Sequence, residues 1–78
     1  MKYTKKIDFG TVLRRLRKMR RLTQEGLAHN SSLDRSFISL LERNLKNPSL
    51  ATINALAHGL GMMAWELLKE VEEHSAMV

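Results

Sequence analysis

The 78-residue chain predicts an all-α domain built from five short helices. Three observations predict it. Apolar residues recur at spacings of three and four in successive stretches, and nowhere do apolar and polar residues alternate long enough for a strand. Good helix-capping residues, Asp8, Thr23, Asp34 and Ser49, stand just before four of those stretches. The only proline, Pro48, and the pair Gly59 and Gly61 stand at the edges of stretches, where helices stop.

The first helix opens at Asp8. Phe9, Val12, Leu13, Leu16 and Met19 form one apolar face, and Arg14, Arg15, Lys18 and Arg21 fall on the remaining surface. It is expected to end near Arg20–Arg21, with Leu22 packing inward. Before it, residues 1–7 carry Lys2, Lys5 and Lys6 and are expected to be frayed or extended. Thr23 caps the second helix, whose inward residues are Leu27 and Ala28. It stops within His29–Ser32, where Asn and two Ser disfavour continuation. Asp34 caps the third, with Phe37, Ile38 and Leu41 apolar. That helix runs out at Asn44, a residue type that tolerates the left-handed conformation. Pro48 bars the residue before it from staying helical. Ser49 caps the fourth helix, with Leu50, Ile53, Leu56, Ala57 and Leu60 on one face. The fifth starts near Met63, carries Trp65, Leu67, Leu68 and Val71, and is expected to loosen from about His74.

The length means one domain, residues 1–78, that buries only about 60% of its unfolded surface. The chain has no cysteine, which excludes disulfides and thiolate metal sites. No apolar run reaches the roughly 20 residues of a membrane span, and no apolar segment follows the N-terminal lysines as in a signal peptide. A cytoplasmic protein is the default expectation. His29, His58 and His74 are scattered, so no metal site is expected, and no catalytic constellation or phosphate-cradling glycine loop is present. Neither an enzyme nor a cofactor is expected.

Charge is unevenly distributed. Residues 1–46 hold twelve of the thirteen Lys and Arg against four acids, a net +8; residues 47–78 hold Lys69 against four Glu, a net −3. A basic front half suggests one face meant for a polyanion. A solvated basic helix is the blander alternative.

The stretch Thr23–Asn44, TQEGLAHNSSLDRSFISLLERN, concentrates the interest. A tight turn between two short helices lets the third helix project from the globule. An α-helix fits the DNA major groove, and residues near its N-terminus meet base edges. Here these are Arg35, Ser36, Phe37 and Ser39. Arg reads guanine through two hydrogen bonds, Ser can donate or accept, and a Phe edge can lie on a thymine methyl. The start of the second helix, with Gln24 and free backbone N–H groups, suits a phosphate.

Leu16-Arg17, Leu22-Thr23-Gln24, Leu27-Ala28, Leu33, Ile38-Ser39, Glu42-Arg43, Pro48, Leu50, Leu56-Ala57 and Leu60-Gly61 together resemble the Cro/repressor-type (Xre-like) helix-turn-helix family. The resemblance spans about residues 9–68. It implies a lambda-repressor-like fold with the helix-turn-helix at about 23–44. The run LDRSFISLLERNLKNPSL is most similar to the controller proteins of restriction–modification systems. That subgroup implies a homodimer on an inverted-repeat operator, regulating its own and the endonuclease promoter. A phage-type repressor or an antitoxin is the alternative within the class. A basic module binding RNA or a membrane surface is the alternative outside it.

The resemblance also implies residue roles. Arg35, Ser36, Phe37 and Ser39 form the base-reading face; Gln24, Asn44, Lys46 and Asn47 touch the DNA backbone; Arg17 and Glu42 pair beneath the third helix. Where the family has glycine at a helix end, this chain has Arg21, which must accept positive φ or alter the turn. Gly26 stands where an acid is common and forfeits a capping box with Thr23. Asn44 replaces a second customary glycine, and Phe37 a frequent tyrosine. Met62, Met63, Trp65, Leu67 and Leu68 supply more apolar surface than one small core needs, and are expected to pair two chains within about residues 60–72. RNA polymerase is a further expected partner if the protein activates, with Glu42 and the end of the third helix as a candidate contact.

Overall fold

A computed structural model describes residues 7–77. Five helices follow one another: α1 Phe9–Met19, α2 Gln24–Ser31, α3 Arg35–Glu42, α4 Leu50–Gly59 and α5 Ala64–Met77. The described residues contain no strand. The expectation of a frayed start falls, apart from Ile7, outside the described residues.

Each of the first four helices starts on the side chain expected to cap it. Asp8 accepts from the Thr11 N–H, Thr23 from Gly26, Asp34 from Ser36 and Ser49 from Thr52. α5 has no such residue in front of it. Glu66 instead reaches back and accepts the Met63 N–H at 2.7 Å, the reciprocal half of a capping box.

The same four helices end alike. Arg21, Ser32, Asn44 and Gly61 take left-handed φ of 57°, 55°, 59° and 74°. The following residue, Leu22, Leu33, Leu45 or Met62, donates its N–H five positions back, to Arg17, Ala28, Leu40 or Ala57. This is the Schellman closure, in which an apolar residue follows the turn and packs back on the helix. Leu22, Leu33 and Met62 pack against the core, but Leu45 stays exposed. Arg21 thus accepts the strained backbone and leaves the turn intact.

The core draws on every helix. Val12 and Leu13, Leu27, Ile38 and Leu41, Leu56, and Leu67 are all fully buried. α2 packs on α3 and α4, α1 on α3 and α5, and α5 on α4. α2 meets α4 closely because Gly59 has no side chain. A Cβ there would collide with the Ser31 hydroxyl and lie 3.1 Å from Leu27 Cδ1. The Ser31 Oγ is buried in that contact and has no hydrogen-bond partner among the described residues.

Four expectations are corrected. Met19 and Leu50 lie on the expected apolar faces but are exposed, because each sits at a helix end that overhangs the core. Leu67, expected at a subunit interface, is 0% exposed and packs within its own chain. The C-terminal residues do not loosen at His74. α5 continues to Met77, held by the Ser75 hydroxyl on the Val71 carbonyl (2.9 Å) and by His74 on Asp8 (3.4 Å).

Candidate nucleic-acid interface

The reading face begins at the α3 N-terminus. Asp34 fixes the first turn by accepting from both the backbone N–H and the hydroxyl of Ser36. Those hydrogen bonds hold the Asp34 carboxyl below its usual range. Arg35 and Ser36 are exposed, whereas Phe37 and Ser39 are partly buried. Phe37 packs against the core and stays partly exposed.

The Ser36 hydroxyl proton is committed to Asp34. What Ser36 retains toward solvent is its acceptor lone pairs.

Beneath α3 lies a buried ionic junction. Arg17 Nε and Nη2 meet Glu42 Oε2 and Oε1 at 2.6 and 3.0 Å, a bidentate fork. Their side chains are only 9% and 3% exposed. Arg17 Nη1 also donates to the Leu22 carbonyl at 2.8 Å, which pins the turn between α1 and α2. Gln24 Nε2 donates to Glu42 Oε1 at 3.1 Å. One carboxylate therefore ties α1, the start of α2 and the end of α3 together. The Gln24 amide nitrogen has two protons; one is spent on Glu42, and the other is free for an acceptor outside.

Glu42 is consequently not a surface acid. Burial and these three hydrogen bonds remove it as a contact for RNA polymerase, which corrects that expectation.

On the far side of α3, Asn44, Lys46 and Asn47 are all exposed. Asn44 is already occupied: its Oδ1 accepts the Gly10 N–H at 2.9 Å and its Nδ2 donates to Asp8 Oδ1 at 2.8 Å. Hydrogen bonds from Thr11 and Asn44 hold the Asp8 carboxyl at about 2, below its ordinary 3.8. The structure thus brings Gln24, Arg17 and Glu42 into one junction and places Asn44 in a second one. Sequence reasoning missed Gln24 on Glu42 and Asp8 on Asn44. The partners lie 18 and 36 positions apart, and no local pattern signals such a pair.

α1 presents Arg14 and Lys18 to solvent and Arg21 is exposed in the turn after it, while Arg15 pairs with Glu70 at 3.1 Å. On α5 and just before it, Met63 and Trp65 are each 62% exposed and Leu68 is 42% exposed; Met62 is partly buried. Among the described residues no helix is long and apolar enough to cross a membrane, and no group of three metal-ligating side chains converges.

A match to the family described as "Helix-turn-helix domain" covers residues 8–68. The control protein C.MunI of Mycoplasma sp is 38% identical over 69 residues, 87% of this chain and 93% of that protein. The immunity repressor protein of Bacillus phage phi105 is 39% identical over 61 residues, 78% of this chain but only 42% of the repressor. The crystal structure of the restriction-modification controller protein C.AhdI from Aeromonas hydrophila superposes with a TM-score of 0.74 at 44% identity, covering 78% of this chain and 92% of that one. With a family match over most of its length and controller-protein relatives aligned nearly end to end, the chain belongs to the helix-turn-helix family of DNA-binding transcriptional regulators.

Proposed function

We propose that the chain is the controller protein of a restriction–modification system, acting in the cytoplasm as a homodimer on an inverted-repeat operator. In this reading it regulates its own promoter and that of the endonuclease. The observation that carries the reading is the mounting of α3. Its first turn is fixed by Asp34 and its far end by Glu42, while Arg35 and Ser36 stay exposed between them. A helix held at both ends can present side chains to base edges without paying to order itself on binding.

Arg35, Ser36, the exposed part of Phe37 and Ser39 read bases. Gln24, oriented by Glu42, takes a phosphate at one edge of the groove, and Lys46 and Asn47 take phosphates at the other. Phosphate contacts set the register, and base contacts set the sequence. Met63, Trp65 and Leu68, with Met62 at the edge, form the face that a second chain covers. Several exposed large apolar residues on one segment support an interaction surface. A two-fold dimer places two α3 helices about 34 Å apart, one turn of duplex. Repression needs only occlusion of a promoter by this dimer. Activation would require an RNA polymerase contact on a surface other than Glu42.

Selection from random duplex DNA tests the proposal. The expected product is one inverted repeat whose half-sites are centred about one helical turn apart, with a preference that survives high salt. Equal binding to any duplex, RNA or anionic vesicles, all lost together as salt rises, would overturn it in favour of a non-specific polyanion binder.

A further inference from the structure

We propose that Asn44 is a positioning residue: through Gly10 and Asp8 it fixes the exit of α3, and with it the loop that carries Lys46 and Asn47, without itself holding a phosphate. The inference rests on the proposed backbone contact at Lys46 for its functional consequence, but the clamp itself stands on the hydrogen bonds.

Asn44 joins two helix ends that would otherwise only abut. Its left-handed backbone closes α3, and its own N–H is spent on the Leu41 carbonyl at 3.1 Å. Its side chain then crosses to α1. The Oδ1 accepts the Gly10 N–H, one of the first-turn donors that have no partner inside a helix. The Nδ2 donates to Asp8, the residue that caps the same helix. The positive end of α1 therefore meets the negative end of α3, and one amide bridges them. Glycine at position 10 is what lets the two approach. A Cβ there would lie 2.6 Å from the Leu41 carbonyl oxygen. The second Asp8 oxygen faces His74 of α5 at 3.4 Å, so a third helix braces the clamp.

The same geometry disfavours a phosphate at Asn44. Both ends of the amide are engaged, and the nearest neighbour is the Asp8 carboxylate. A phosphate drawn to Asn44 would meet that negative charge. Lys46, two residues further along, is exposed and carries the charge that counterion release requires. Its position depends on the turn that Asn44 closes.

Two readouts test the clamp. The first is amide hydrogen exchange in the DNA-free protein. Asn44→Gly keeps the left-handed turn but removes the side chain, and Asp8→Ala removes its partner. Both are expected to speed exchange at the Leu45 N–H, which donates to the Leu40 carbonyl, by about tenfold relative to the amides of α4. Wild-type exchange at Leu45 in both variants would overturn the clamp. The second readout is the dependence of operator affinity on salt. Lys46→Ala is expected to lower the logarithmic slope by about one phosphate contact. Asn44→Gly and Asp8→Ala should each lower it similarly, and neither should lower it further in a Lys46→Ala background. Tighter binding by Asp8→Ala would instead mean that Asn44 holds phosphate and Asp8 opposes it, which sinks the proposal. An unchanged slope for Lys46→Ala alone would refute the Lys46 contact, and the exchange result would then decide the clamp by itself.

Discussion

Glu42 carries three local duties at once. It neutralises a buried arginine, holds the turn between α1 and α2 through that arginine, and aims Gln24. Removing it strands Arg17 without a counterion in a site that is less than one-tenth exposed. Glu42→Ala is therefore expected to cost about 3–5 kcal/mol, measured by urea denaturation. A loss below about 1 kcal/mol would mean that Arg17 swings out to water instead. Ser36 invites a sharper expectation about specificity. With its proton given to Asp34, it can only accept from a base. The amino groups of cytosine N4 and adenine N6 are the donors in the major groove. Operators selected with the wild-type protein should show a base-pair preference at the step facing Ser36, and Ser36→Ala should erase that preference alone. An unchanged preference in Ser36→Ala would show that the hydroxyl reads no base. Arg17 and Glu42 could be paired on paper because the resemblance supplied both positions. The third member, Gln24, could not, because the bond depends on how closely α2 and α3 approach.

The helices themselves were largely readable, and the reason is that their ends are local. A cap needs only a side-chain oxygen two or three residues before an N–H, and Asp8, Thr23, Asp34 and Ser49 all meet that condition within one turn. What periodicity could not resolve was the reach of the core. Met19 and Leu50 keep the right spacing but have nothing opposite them, and Leu67 and Leu68 are adjacent apolar residues of which only one points inward. The end of α5 is illegible in the sequence because chain ends loosen by default, while its order comes from a contact with Asp8, distant in the chain. At this scale the left-handed closures make a prediction. Three of the four are formed by residues with a Cβ, at a cost on the order of 1 kcal/mol each. Among the described residues the Arg21 side chain has no hydrogen-bond partner, so Arg21→Gly should raise the melting stability by about that amount. A destabilised variant would mean that the arginine contributes packing that its exposure hides.

For the molecule as a whole, the adjacent pair Leu67 and Leu68 separates folding from assembly. Leu67 is fully enclosed by its own chain and Leu68 is 42% exposed on the same helix. Leu67→Glu should unfold the monomer, since it buries a charge without a partner. Leu68→Glu should leave the circular-dichroism spectrum intact and shift sedimentation from dimer to monomer. A wild-type protein that sediments as a monomer at high concentration, or a dimer indifferent to Leu68→Glu, would move the interface elsewhere. Such a monomer would also bind its operator weakly, because a single short helix reads only one half-site.

The tight meeting of α2 and α4 has a consequence for how this sequence can change over generations. Gly59 and Ser31 occupy one shared space, and any side chain at 59 collides with the Ser31 hydroxyl. Position 59 is not free to change alone. A lineage that acquires alanine at 59 must first turn aside or lose the hydroxyl at 31, as Ser31→Ala does, and the Cβ of residue 31 would still lie 3.2 Å away. Descendants of this chain should therefore keep one small residue at each position or replace both together.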